Sequence, residues 1–209
     1  MRIVCISDTH TQHGVAIPPG DVLVHAGDLT HSGEWPVIGK ALRWIAKAPH
    51  PHKIVIAGNH DWAFQHRPDE LPDYLPHGVT YLEDSGIEIG GLKFWGSPWQ
   101  PRFHNWAFNL KRGPEIAAKW ELIPDDTDVL ITHGPAFGIL DDLPGGGGGV
   151  GCKDLLRRVE TLPRLRLHVF GHIHHGYGMV TDARGRHFVN ACICDEVYRQ
   201  SNRPIVVDL

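Results

Sequence analysis

Five short apolar runs in this 209-residue chain each end in a turn that carries Asp, Asn or His. Ile3-Val4-Cys5-Ile6 runs into Ser7-Asp8-Thr9-His10, and Val22-Leu23-Val24 leads to Gly27-Asp28. Ile54-Val55-Ile56-Ala57 leads to Gly58-Asn59-His60-Asp61. The stretch 128–132 ends at His133-Gly134, and Leu167 to Phe170 ends at Gly171-His172-Ile173-His174. A short apolar run bounded by turn residues reads as a buried strand, and Gly frees the backbone to turn. In open α/β folds, strand ends of this kind gather at one rim of the sheet, where ligands bind. Any one block is an ordinary turn. Five such blocks, all bearing hard or borderline metal ligands, are difficult to explain separately.

The segments between the runs set the fold class. Strands are expected at 2–7, 21–26 and 52–57. Ser32 or Gly33 can cap a helix that extends to Ala48, with Trp35, Ile38, Leu42 and Ile45 on one face and Pro49 and Pro51 to stop it. Strand, helix, strand at this spacing is a βαβ unit with a parallel sheet. A short helix is expected within 62–75, and short strands at 80–83, 87–89 and 92–96 suggest a more antiparallel second half. Helices are expected over 114–122 and 152–162, and further strands over 179–182, 187–191 and 205–208. Leu143-Pro144 and the five glycines Gly145 to Gly149 cannot be regular structure and read as a mobile loop or flap. Nothing marks a linker between domains.

Bulk properties narrow the function. Net charge is −4 with no Lys/Arg block, so no nucleic-acid polymer is expected as partner. No apolar run approaches the length of a membrane span, and the first strand is too short for a signal-peptide core. The chain carries 4 Cys, which make no disulfide framework and fit a reducing, cytoplasmic setting. Cys192 and Cys194 alternate on one side of an expected strand. The 16 His raise the prior for metal chemistry.

The candidate ligands are Asp8, His10, Asp28, Asn59, His133, His172 and His174. Buried together without a cation, the carboxylates would repel each other and each imidazole would need a partner. Two divalent cations resolve this, with Asp28, alone on its strand end, as the natural bridge. Mixed N/O ligands suit Mn, Fe, Zn, Co or Ni, and the neutral amide of Asn59 favours an oxygen-loving ion, Mn first. Two metals about 3.5–4 Å apart clamp the attacking and leaving oxygens of an in-line phosphoryl displacement. A bridging water readily becomes the hydroxide nucleophile, since even one bound zinc lowers a water pKa to about 7. His60 stands next to a ligand but breaks the pattern. It is read as the general acid, with Asp61 orienting or charging it.

These blocks, read as D-x-H, G-D, G-N-H-D, H-G and G-H-x-H in this order, resemble the calcineurin-like metallophosphoesterase superfamily. Ile6 to His10, Ile54 to His60, Gly96-Ser97-Pro98-Trp99 to Asn109-Leu110, Thr132 to Pro135, Val169-Phe170-Gly171 and Gly176-Tyr177-Gly178 resemble its metallophosphoesterase-domain-containing subfamily, over nearly the whole chain. The resemblance implies an α/β fold, a four-layer αββα sandwich of two mixed sheets flanked by helices, as one domain over 1–209. It implies that Asp8, His10, Asp28 and His174 hold one metal, that Asp28, Asn59, His133 and His172 hold the other, and that His60 is the catalytic acid. Some animal members have Gly where His172 stands, with a weakened second metal site; this chain keeps the His, so a more competent hydrolase is expected. His175 stands where those relatives carry an acidic residue.

The expected activity is that of a binuclear metal-dependent phosphodiesterase acting on small phosphodiesters, cyclic nucleotides among them. A phosphomonoesterase is the enzymatic alternative, and a non-catalytic nucleotide-binding protein the other, though intact His60 and His172 argue against the latter. Trp99, His104, Trp106 and Asn109 are read either as a packed loop under the site or as substrate contacts. His13, His25, His31, His66, His77 and His168 are read as non-ligands.

Overall fold

Each of the five apolar runs lies in or at the end of a strand of the computed structural model, which describes residues 1–145 and 148–209. In chain order the elements are β1 (Arg2–Ile6), β2 (Val22–His25), α1 (Trp35–Ala46), β3 (His52–Val55), α2 (Trp62–His66), α3 (Leu71–Tyr74), β4 (Thr80–Tyr81), β5 (Ser85–Ile89), β6 (Leu92–Ser97), β7 (Gln100–Pro101), β8 (Asn109–Leu110), α4 (Pro114–Trp120), β9 (Val129–Thr132), α5 (Lys153–Thr161), β10 (Leu167–Phe170), β11 (Gly178–Thr181), β12 (His187–Asn190) and β13 (Ile205–Asp208), with 3₁₀ turns at Pro68–Glu70 and His174–Gly176.

The strands form two main sheets, β13-β1-β2-β3-β4 and β11-β12-β10-β9-β6-β5. In the first, β1 through β4 pair in parallel and β13 runs antiparallel to β1. In the second, β6, β9, β10 and β12 pair in parallel, and the edge strands β5 and β11 are antiparallel. The second half is therefore less antiparallel than its tight turns suggest. β4 does not pair with the antiparallel strands that follow it but with β3, because the β3–β4 connection passes through α2 and α3 and returns the chain in the same direction.

Side-chain alternation builds the layers. Ile3, Cys5, Val22, Val24 and Ile54 meet Phe94, Val129, Ile131, Leu167, Val169 and Val189 between the sheets. Val4, Ile6, Leu23 and Val55 point the other way, onto Trp35, Ile38, Leu42 and Ile45 of α1. Leu130, Phe170 and Phe188 of the second sheet cover Ile116 and Trp120 of α4 and Leu155 and Val159 of α5. A central strand covered on both faces has no polar face, which is why these segments read as continuous apolar runs.

Local details depart from the sequence expectation in two places. The N-cap of α1 is Glu34 rather than Ser32 or Gly33, and it makes no side-chain cap; Pro36 in the first turn removes one donor that would need a partner. Cys192 and Cys194 lie on isolated bridges to Ser7 and Gln200, outside the regular strands. Of the glycine loop, Gly146 and Gly147 lie outside the described residues. Among the described residues, no helix is long and apolar enough to cross a membrane.

Candidate metal centre

Parallel pairing delivers the ends of β1, β2, β3, β9 and β10 to one rim. The two sheets are stitched together there: Ser7 N donates to Ala191 O at 2.8 Å, and His133 Nδ1 donates to Ala26 O at 3.0 Å. The chain turns sharply as it leaves the strands. Asp8 (φ 50°), His10 (φ 41°), Asp28 (φ 54°) and His172 (φ 68°) all occupy the left-handed region, which is uncommon for residues other than Gly and costs of order 1–3 kcal/mol apiece. Strain of this kind persists where the surroundings over-determine it, and here it gathers around one group of side chains. Two glycines allow the close approach. A Cβ at Gly171 would overlap Asp8 Oδ2 and Ser7 Oγ, and one at Gly58 would overlap the Asp28 amide and carboxylate.

Three candidate-ligand imidazoles share one orientation. His10 Nδ1 donates to Thr30 O at 3.1 Å, His133 Nδ1 to Ala26 O, and His174 Nδ1 to Asp195 O at 2.8 Å. A carbonyl only accepts, so each Nδ1 holds a hydrogen and each Nε2 is the free nitrogen. Those Nε2 atoms face oxygen: His174 lies 3.2 Å from Asp8 Oδ1, His133 3.5 Å from Asp28 Oδ1 and 2.9 Å from Asn59 Oδ1, and His10 3.7 Å from Asp28 Oδ2. Lone pair against lone pair is repulsive unless a proton or a cation stands between them. His10 Nε2 is buried without a hydrogen-bond partner among the described residues, and a bound cation satisfies that atom.

Asp8 accepts from Ser7 Oγ at 2.5 Å, from Cys192 Sγ at 3.2 Å and from the His172 amide at 3.0 Å. Asp28 accepts from the His60 amide at 2.8 Å. Burial works to raise both carboxyl pKa values, but the His174 hydrogen bond and charge hold Asp8, and the His133 charge and hydrogen bond hold Asp28, below the usual carboxylate range. The converse applies to the imidazoles. Burial depresses His133 and His174, yet Asp28 and Asp8 respectively outweigh it and raise each to about 9. For His10 and His172 burial wins over the same carboxylates and lowers each to about 4. Without metal, the centre thus balances two carboxylates with two protonated imidazoles.

Potential ligand atoms converge in three overlapping groups: Asp8, His10 and His174; His10, Asp28 and His60; and Asp8, Asp28 and His133. Mutual sharing of Asp8, Asp28 and His10 suits a binuclear divalent-metal site. Asn59 joins through His133. His172 stands beside the groups, its ring 4.9 Å from that of His133. His60, expected outside the ligand set, converges with His10 and Asp28. Its Nδ1 donates to His31 O at 3.1 Å, so its Nε2 is also the free nitrogen.

Among the described residues, the hydrogen bonds of Asp61 do not reach His60, the residue it is expected to orient. It is fully buried, and its carboxylate accepts from Leu29 N at 3.1 Å, Thr30 N and Oγ1 at 3.2 Å, and Gly58 N at 3.0 Å. It ties the loop after β2 to the loop after β3; the His31 carbonyl is what orients His60. Burial, then the nearby charge of Asp28, push the Asp61 carboxyl up to about 7.

A cleft of about 510 Å³ opens over the centre, lined by Asp28, Asn59, His60, His172 and His174 and also by Phe103, His104, Trp106, Leu143 and Tyr198. The aromatic stretch divides between the two roles left open for it. Trp106 packs against His60 with ring centres 4.2 Å apart and tilted by 38°, and with His104 it lines the cleft. Trp99 donates to Asp84 at 2.9 Å, and Asn109 binds the Phe103 and His104 carbonyls, both as packing. His25 and His168 are buried and bond Thr9 and Thr132 at 2.9 and 2.8 Å, next to candidate ligands but not among them. His175 pairs with Glu196 at 3.2 Å on the surface. Tyr198, in a polar stretch without a motif, has no sequence signal that would single it out.

Residues 1–176 match the family model described as calcineurin-like phosphoesterase. The chain belongs to the calcineurin-like phosphoesterase family. Within it the chain is similar to the human metallophosphoesterase domain-containing protein 1, 42% identical over 231 aligned positions that span 100% of this chain and 71% of the relative; the mouse protein of the same name matches equally. This supports the metallophosphoesterase-domain-containing subfamily. A solved crystal structure aligns with a TM-score of 0.67 at 17% identity, covering 90% of this chain and 89% of the other. The crystal structure of a Thermus thermophilus protein, TT1561, aligns with a TM-score of 0.59 at 13% identity, over 90% and 88%. At these identities the two structures speak for the fold, a sandwich of two mixed sheets flanked by helices.

Proposed function

We propose that this calcineurin-like phosphoesterase is a phosphodiesterase for small phosphodiesters, cyclic nucleotides among them, formed as one domain over 1–209. The carrying observation is the set of imidazoles locked by carbonyls at Nδ1, with their Nε2 atoms turned onto Asp8, Asp28 and Asn59. That arrangement is repulsive without protons and favourable with divalent cations. Asp8, His10, Asp28 and His174 would hold one ion, and Asp28, Asn59, His133 and His172 the other. The amide oxygen of Asn59 in the second set favours Mn²⁺. The four cysteines are free and buried, which suits a reducing compartment, and we place the protein in the cytoplasm.

Bound metal supplies Lewis acidity, lowering the pKa of water and neutralising phosphoryl charge. The protein's own part follows from its hydrogen bonds. His60 is held by the His31 carbonyl and by the tilted packing of Trp106, so its Nε2 is directed at the cleft and, in the imidazolium form, donates a proton to the departing ester oxygen. The carbonyls of Thr30, Ala26 and Asp195 fix ligand tautomers in advance, which removes reorganisation from the reaction. Asp61 keeps the two ligand loops in register. The aromatic lining of the cleft, Phe103 and Trp106, accepts a flat substituent on the phosphoryl group.

The test is reconstitution. Chelated protein reloaded with Mn²⁺ should hold two ions per chain by elemental analysis and hydrolyse bis(p-nitrophenyl) phosphate and a cyclic nucleotide faster than p-nitrophenyl phosphate. Preference for the monoester would make the protein a phosphomonoesterase. Two ions bound with no turnover of any ester would make it a binding protein.

A further inference from the structure

Tyr198 packs against several rings of the centre without belonging to its motifs. Tyr198 sits at the tip of a tight hairpin in which Asp195 and Arg199 pair backbone to backbone at 2.9 Å. Asp195 Oδ1 accepts from the amides of Val197 at 3.1 Å and Arg199 at 2.9 Å, and Tyr198 N donates to Asp195 O at 2.9 Å. The hairpin is fastened to the centre by the His174 Nδ1 bond to Asp195 O and beside it by Gln12 Nε2, which donates to Tyr198 O at 3.4 Å. Tyr198 itself has φ 60°, a conformation that bulky residues rarely adopt. Strain at such a position persists when the surroundings hold it, and it clusters where a side chain must be aimed.

The aim is inward. The phenol ring lies 4.6 Å from the ring of His10, 5.0 Å from His31, 5.7 Å from His174 and 6.1 Å from His60, edge-on to each. It nevertheless keeps 39% of its surface exposed, and it lines the cleft. Within the described residues the hydrogen bonds of Tyr198 run through its backbone, which leaves the hydroxyl for a ligand. The other donors on the cleft wall are placed differently. Arg112 is taken up by the Gly151 and Val150 carbonyls at 2.7 and 2.6 Å. Arg102 is shared, with Trp106, between this cleft and a second cavity.

We propose that Tyr198 is a substrate-binding residue whose hydroxyl donates a hydrogen bond to a phosphoryl oxygen of the ester bound at the centre. The ring packs edge-on against His10 and His174, and because Tyr198 lines the cleft its hydroxyl is available to the anion that the centre attracts. This assignment rests on the phosphoesterase reading. It gives the phosphoryl group a neutral donor near His60, so that binding and protonation come from neighbouring side chains.

The experiment compares wild type, Tyr198→Phe and Tyr198→Ala, each loaded with Mn²⁺, with metal content and thermal midpoint recorded for all three. Binding of inorganic phosphate is measured by calorimetry, and KM and kcat are measured on bis(p-nitrophenyl) phosphate. Tyr198→Phe keeps the ring and should retain both metals and the wild-type midpoint. It should bind phosphate about 10–100-fold more weakly, the range for losing one hydrogen bond to a charged group. KM should rise with it. If Tyr198→Phe binds phosphate as wild type does, the assignment is wrong. It is equally wrong if only Tyr198→Ala is impaired and its loss is a loss of metal, since the ring would then merely support His10. If wild type itself takes up two metals but neither binds phosphate nor turns over an ester, the phosphoesterase reading has failed and the assignment falls with it.

Discussion

Gly58→Ala puts the close packing of the centre to the test with the smallest change available. A Cβ at this position would stand inside the contact distance of both Asp28 N and Asp28 Oδ1, and 2.7 Å from His133 Cε1. Two of those atoms belong to a candidate ligand and one to another, and none is the free end of a flexible chain. Relief requires the loop after β2 to move by about 1 Å toward ordinary carbon contact distances. Overpacking in a tight interior costs about 1–3 kcal/mol, and the upper end applies because backbone is involved. For a chain of this length that lowers Tm by roughly 6–12 °C. The functional loss should be larger, since a displacement near 1 Å at reacting groups can cost about 10²-fold. Gly134→Ala is the matched control. Its Cβ would meet Gln100 Cβ at 3.5 Å and His172 Cδ2 at 3.7 Å, which is ordinary van der Waals contact. Thermal melts, metal content by elemental analysis and turnover on an aryl phosphodiester would be measured for both variants. Gly134→Ala should match wild type in all three, while Gly58→Ala loses metal or turnover. Wild-type behaviour of Gly58→Ala would refute the packing argument, and equal damage in both variants would mean that distance from the ligands is not what decides.

Metal-free protein should be most stable near pH 6.5. The folded pKa of His133 and His174 is about 9 against about 6.5 unfolded, so their contribution is complete below pH 6.5 and lost as pH rises through 9. His10 and His172, held neutral with pKa about 4, withdraw stability as pH falls from 6.5 toward 4. A Tm series on chelated protein checks this, and Mn²⁺ affinity should rise over pH 6.5–9 as protons stop competing; a flat series in both ranges contradicts the charge balance. His60→Asn should slow hydrolysis by about 10²–10⁴-fold for an alkoxide leaving group and by less for a nitrophenolate, which needs no proton. Equal defects on a cyclic nucleotide and an aryl ester would show that His60 positions rather than protonates. Asp61→Ala strands the donors of Leu29, Thr30 and Gly58 and should cost about 2–4 kcal/mol in denaturant melts. A stable variant with depressed turnover would return Asp61 to the chemistry.

The sequence by itself determined the strands that lead to the centre and the residue types at their ends. Covered on both faces, β1, β2, β9 and β10 are mostly apolar, with His25 and His168 buried among them, and the break from Ile6 to Asp8 or from Phe170 to His172 is therefore sharp enough to read locally. The apolar stripe of Trp35, Ile38, Leu42 and Ile45 likewise fixed α1, since its period of 3.6 residues needs no partner to be seen. Only the tertiary structure decided which sheet each strand joined, because pairing β4 with β3 rather than β5 depends on where α2 and α3 return the chain. It also decided what Asp61 does. Its neighbour in sequence is His60, but its hydrogen-bond donors come from Leu29 and Thr30 on another loop, and adjacency along a chain says nothing of such a bond. Tyr198 is the clearest case. Its place over His10 and His174 is set by a hairpin turn and a left-handed φ, and neither leaves a pattern in the residues around it. Patterns repeat along the chain where the backbone is regular; at the centre, contacts join residues more than a hundred positions apart, as His133 and Ala26 do through a single hydrogen bond, and only folding brings them together.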